Sequence, residues 1–166
     1  MNLARLSDKA RHEFNLTCEI LYDFTQENSQ KSLSPIAFLN RIKNKNKHFN
    51  PPFYQHAINH MENALNALTR GVKYYQKLRK SRNKSDHYAE LAPKHDFAIV
   101  KDIRDGIEHT DEHILKGKFE VGQVHSLFLN VDGVLLGKIF IDYTTISNVI
   151  NELHKRTLDI VGENKP

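Results

Sequence analysis

At 166 residues, with 39% apolar and 27% charged side chains, the chain is long enough to build one domain around a real core. No stretch approaches the roughly 20 apolar residues that a membrane span needs, the opening residues Met1 to Lys9 read as an amphipathic helix rather than a secretory leader, and the single cysteine, Cys18, excludes an internal disulfide, so a soluble cytoplasmic protein with no membrane partner is the default expectation. The net charge of +4 is uneven: Arg70, Lys73, Lys77, Arg79, Lys80, Arg82 and Lys84 follow one another with no acid between them, and Arg41, Lys43, Lys45 and Lys47 form a second basic stretch.

In chain order, Leu3 to about Glu27 reads as a first helix, because Leu6, Ala10, Phe14, Leu21 and Phe24 recur at helical intervals. Ser34 is placed to cap a short second helix with Pro35 at its first position and Ile36, Phe38, Leu39 and Ile42 on it. Pro51-Pro52 opens the clearest helix of the chain, in which Tyr54, Ala57, Ile58, Met61, Leu65, Leu68, Val72, Tyr75 and Leu78 keep a three-four spacing. The polar run from Ser81 predicts a loop, and a fourth helix follows with Phe97, Val100, Ile103, Ile107, Thr110 and Ile114 inward. Ser126 to Val131 and Val134 to Tyr143, joined by Asp132-Gly133, predict a β-hairpin. Thr144 or Thr145 would cap a last helix carrying Ile146, Val149, Ile150, Leu153 and Leu158. The expected fold is mainly α: one domain over residues 1–166, a bundle of four to five helices over about 3–116, a hairpin over 124–143 and a terminal helix over 145–161.

The chemistry concentrates in the fourth helix, Ile103-Arg104-Asp105-Gly106-Ile107-Glu108-His109. Here the chain resembles the HEPN superfamily. The resemblance rests on Arg104, the polar Asp105 directly after it, and His109 after four intervening residues, on a late helix that follows a long core helix. It covers about a dozen residues closely, and the helix order supports it over Leu3 to Leu115. It implies a HEPN-like bundle and metal-independent RNA cleavage, in which a ribose 2′-hydroxyl attacks the adjacent phosphorus. On that reading Arg104 holds the phosphate, His109 moves protons and Asp105 orients one of the two. It also implies a homodimer and a role as a toxin or phage-defence component, with an antitoxin or other protein as partner. Asp111 stands where toxins of this kind paired with minimal nucleotidyltransferases carry a tyrosine, which puts that partnership in doubt. The basic residues Arg70, Lys73, Lys77, Arg79 and Lys80 are the expected RNA-binding face, with a merely solvated helix face as the alternative reading.

Helical geometry adds an independent expectation. At about 100° per residue, Arg104 sits at the edge of the face made by Ile103 and Ile107, and His109 points largely away. One helix cannot close a pocket around both, and a two-fold dimer would supply the second surface. Against this stands a plainer reading, a non-catalytic interaction or dimerisation module, in which Arg104 pairs with Glu108 and His109 with Asp105 or Glu112.

Two other constellations compete. Arg82-Asn83-Lys84-Ser85-Asp86-His87 also has an Arg-Asn-x3-His form, in a basic loop. His56/His60 and His109/His113 are i,i+4 pairs that would suit a metal if the two helices faced each other. No Gly-rich phosphate loop or Gly-x-Ser-x-Gly elbow is present, and no cofactor is expected. Cys18 in mid-helix reads as a packing residue; Tyr74-Tyr75 offers rings for base stacking, but Tyr75 fits the core stripe, so packing is the better account.

Overall fold

The computed structural model describes residues 3–30, 52–81, 90–109, 127–130 and 132–163. Four helices and one small sheet make up this part: α1 (Leu3–Gln30), α2 (Pro52–Ser81), α3 (Lys94–Glu108), β1 (Phe128–Leu129), β2 (Gly133–Leu136), β3 (Ile139–Asp142) and α4 (Tyr143–Glu163). The protein is mainly helical. The short helix expected around Ser34 to Ile42 and the loop motif Arg82 to His87 lie outside the described residues.

The helices run up, down, up and down. Glu13 meets His60, and Leu6 lies by Gly71, so α1 and α2 are antiparallel. Arg104 meets Asn66 and Glu90 meets Arg79, so α2 and α3 are antiparallel too. Phe14 lies by Tyr143 and Ser7 by His154, which sets α4 antiparallel to α1. The apolar stripes meet in one core: Ala10 and Phe14 of α1, Met61, Leu65 and Leu68 of α2, Val100 and Ile103 of α3, and Val149 and Leu153 of α4 are all buried. Each fully buried Leu, Ile or Met contributes roughly 1.5–3 kcal/mol relative to exposure, so this shared core holds the bundle. Gly71 marks a close approach of α2 to α4, since a Cβ there would lie 2.7 Å from Leu153 Cδ2.

The sheet closes one end of the bundle, where α2 starts, α3 ends and α4 starts. Its order is β1-β2-β3, all antiparallel, with Leu129 opposite Val134 and Leu135 opposite Phe140. The expected hairpin is therefore one strand short. The run Val134 to Tyr143 turns back at Gly137-Lys138, and Gly137 adopts a positive φ of 61°, which glycine reaches without a Cβ penalty. Asn130 organises the first turn, its side-chain oxygen accepting from the N–H of Asp132 and of Gly133. Tyr54 of α2 ties the sheet down: its hydroxyl donates to the Leu129 carbonyl and accepts from the Leu129 N–H, both at 2.9 Å. Burial pushes the Tyr54 phenol up to about 12.

Two boundaries differ from expectation. The helix predicted to run to Ile114 ends at Glu108, with His109 as its C-cap; Thr110, His113 and Ile114 lie outside the described residues. Its last turn carries Asp105 and Glu108 and no basic residue, which opposes the negative end of the helix dipole. At the other end of the sheet, Asp142 rather than Thr144 or Thr145 caps α4. Its carboxylate accepts from the Thr145 N–H and from the Thr145 hydroxyl, both at 2.7 Å, and these bonds hold it below the usual aspartate range. A carboxyl lowered on folding stabilises fully above its unfolded pKa of about 3.9 and loses that contribution as pH falls through the folded value. Asp142→Ala is thus expected to cost about 1 kcal/mol at neutral pH and less in acid, whereas Asp142→Asn keeps an acceptor and flattens the pH dependence. Thermal melts of the three proteins between neutral and acid pH check this; equal losses at both pH values would count against it.

Candidate functional site

Arg104 sits at the edge of the buried face of α3, one residue past the fully buried Ile103. Its side chain is 14% exposed, and its guanidinium is held from three directions. Nε donates to the Asn66 side-chain oxygen of α2 at 3.3 Å, one terminal nitrogen donates to Asp105 at 3.1 Å, and the other donates to Glu108. Asp105 in turn accepts from Lys101 at 2.6 Å. The hydrogen bond from Lys101, then that from Arg104 and the charge of Lys73, hold the Asp105 carboxyl below its ordinary range against the effect of partial burial. The chain Lys101, Asp105, Arg104, Glu108 places alternating charges along one edge of α3.

His109 is exposed at the end of α3, and its backbone N–H donates to the Asp105 carbonyl at 3.1 Å. It is not among the hydrogen-bond partners of Arg104. The structure therefore brings Arg104 and Asp105 together and sets His109 at the helix end just beyond. The sheet braces this end: a Cβ on Gly106 would lie 2.5 Å from Leu136 Cδ2 of β2. The sheet is thus a buttress of the motif helix.

Sequence reasoning did not find Asn66. Its partner lies 38 positions away, and its only signal is a polar side chain bordering the apolar stripe of α2. Glu62, one turn earlier on α2, is the second such residue. It is partly buried, and burial raises its carboxyl pKa.

The basic residues divide between two surfaces. Lys73 and Arg79 of α2, together with Lys94 and Lys101 of α3, rim a groove of about 380 Å³ between these helices, with Val72, Phe97 and Val100 in its lining. Glu90 also lines it and pairs with Arg79 at 2.9 Å and Lys94 at 2.6 Å. Arg70, Lys77 and Tyr74 instead line a shallower depression of about 210 Å³ against Leu6, again with Lys73. Lys80 is exposed at the end of α2.

The competing constellations fare differently. His60 Nδ1 lies 2.6 Å from a Glu13 carboxylate oxygen, so it bridges α2 to α1, while His56 is exposed. Among the described residues no group of three or more His, Cys, Asp or Glu side chains is arranged to hold a metal. Cys18 is half-buried against the core, and burial raises its thiol pKa. Tyr75 is buried, and Tyr74 is exposed. A serine, histidine and aspartate also meet between α1 and α4. Ser7 Oγ and an Asp8 oxygen approach the same nitrogen, His154 Nδ1, at 3.2 and 3.6 Å. A relay needs the two on opposite nitrogens, and Ser7 is 1% exposed, so the trio ties helices together.

No described helix is long and apolar enough to cross a membrane. Compared with protein-family models, with curated proteins and with solved structures, the chain has no match.

Proposed function

We propose that the chain is a HEPN-type endoribonuclease that acts as a homodimer, with Arg104, Asp105 and His109 as its working residues. The observation that carries this reading is the posture of Arg104. It is mostly buried, anchored through Nε by Asn66 and held by Asp105 beside the exposed His109. An arginine fixed in this way presents a preset fork to a phosphate. Binding exchanges the Glu108 carboxylate for a phosphate oxygen. The ribose 2′-oxygen then bonds to phosphorus as the bond to the 5′-oxygen breaks. The proton leaves the 2′-hydroxyl and one is delivered to the 5′-oxygen, with His109 as the transferring group. Arg104 offsets the charge that develops on the phosphoryl oxygens. Asp105 keeps the guanidinium in place, and the second copy supplies the opposing wall of the cleft. A toxin or phage-defence role, with an antitoxin as partner, belongs to the same proposal.

One observation favours the second reading, a non-catalytic interaction module. Asp105 and Glu108 already occupy both terminal nitrogens of Arg104, as a purely structural arginine would show.

Purified protein incubated with mixed RNA in chelator separates the two. Cleavage that resists chelator and falls by at least about two orders of magnitude in His109→Ala is the expected result, from a species that sediments as a dimer. Absence of cleavage by the wild type at high concentration would overturn the ribonuclease reading and leave the module.

A further inference from the structure

We propose that the groove between α2 and α3 seats single-stranded RNA beside the Arg104 motif, and that Glu90 is an internal carboxylate which an incoming phosphate displaces. The inference rests on the ribonuclease reading and extends it to residues that the sequence did not single out, Lys94, Lys101 and Glu90.

Among the described residues the rim carries four cations, Lys73, Arg79, Lys94 and Lys101, against one carboxylate. That balance suits a polyanion. The apolar lining suits the face of an unpaired base, which a duplex keeps stacked inside. At about 380 Å³ the groove falls in the range of sites that take one small ligand unit at a time. A strand lying along it would thus place one nucleotide against the lining and its phosphates on the rim.

The groove also leads to the motif. Lys101 lines it and donates to Asp105, which accepts from Arg104. Lys101 and Asp105 are four residues apart, about 6 Å along the helix. A strand in the groove therefore reaches Arg104 within about one helical turn.

Glu90 holds the place that a phosphate would take. It bridges Arg79 of α2 and Lys94 at the start of α3, so one carboxylate neutralises a cation on each wall. The pair is exposed, and exposed pairs of this kind are weak and screened by salt. A phosphate with more charge and more acceptor oxygens competes well for the same donors.

The test is fluorescence anisotropy with a short labelled single-stranded RNA, read across a salt series. Lys73→Glu with Lys94→Glu is compared with a charge-matched control, Lys9→Glu with Lys155→Glu, exposed positions that do not line the groove. The groove variant is expected to bind at least about tenfold more weakly than the control. Its log-affinity slope against log salt should be smaller by roughly 1.4, at about 0.7 for each phosphate that is no longer neutralised. Glu90→Gln is expected to tighten binding a few-fold, because it removes the carboxylate charge that competes with the phosphate. If the reversed charges unfold the protein by circular dichroism, Lys73→Gln with Lys94→Gln carries the same comparison.

Groove and control variants that bind RNA alike would overturn the groove. If such variants also cleave as the wild type does, the ribonuclease reading stands without it. Groove-dependent binding without any cleavage would support the groove and overturn the ribonuclease. A wild type that binds no RNA would overturn both, and binding of poly-glutamate lost in the groove variant would then assign the surface to an acidic protein partner.

Discussion

Arg104→Lys is expected to slow chelator-resistant RNA cleavage by about two to three orders of magnitude while leaving the fold intact. The substitution keeps the charge and removes the fork. Asn66, Asp105 and Glu108 each receive a different guanidinium nitrogen, and a single ammonium cannot span all three directions at once. The lysine would keep its attraction for a phosphate but lose the fixed angle of approach, so the loss should fall on the rate of the bound complex more than on its formation. Stability should fall little, by about 1 kcal/mol, because Asp105 and Glu108 stay partly exposed to water. For a chain of this length that is a drop of roughly 2–4 °C in melting temperature. Single-turnover cleavage and a thermal melt, measured on the same preparations, check both halves. An unchanged rate beside a lowered melting temperature would assign Arg104 to the scaffold alone.

Gly133→Ala is expected to be the most damaging small substitution in the sheet, at about 3 kcal/mol or more, a fall of roughly 6–12 °C. A Cβ at this position would run into the Ile141 carbonyl and lie 2.8 Å from the Asp142 Cα. Both are backbone atoms of β3, which no rotamer change can move. The methyl must therefore push β2 and β3 apart or break their register, in which Gly133 stands opposite Asp142. Asp142 also caps α4, and Leu136 of the same strand braces Gly106, so the damage should spread to both helices. Gly137→Ala serves as the contrast. Its positive φ costs about 1 kcal/mol for alanine. If both variants melt alike, the close approach at Gly133 is not what holds the strands in place.

These effects turn on interactions of very different visibility in the sequence. The helical stripes are readable, because Met61, Leu65 and Leu68 in α2, or Phe97, Val100 and Ile103 in α3, repeat a local spacing that burial then uses. The third strand is not, since Val134 to Tyr143 is rich in Leu and Ile on both sides of its turn, and only Gly137 marks the break. The α4 cap is ambiguous among Asp142, Thr144 and Thr145, all good capping residues; where the β3 ladder stops decides between them. The end of α3 departs from expectation for an energetic reason. Apolar spacing continues to Ile114, but spacing does not weigh carboxylates at the negative end of a helix. At the site, Arg104, Asp105 and His109 stand out as letters close in sequence. What positions them comes from elsewhere in the chain, Asn66 on α2 and Leu136 on β2, and pairings over such separations leave no local trace.

The hydroxyl of Tyr54 has a consequence for assembly. A strand at the margin of a sheet is an open template, ready to accept another chain through its unpaired N–H and C=O groups. On the described part of β1, Tyr54 fills both positions of Leu129 with one oxygen. Phe128 packs its ring against Tyr54, with centroids 5.9 Å apart, which keeps the plug seated. A second copy cannot extend the sheet from this side without first evicting a phenol that is bonded twice. Copies that associate must meet elsewhere, and the helical surface that carries Arg104 keeps its freedom to be the place.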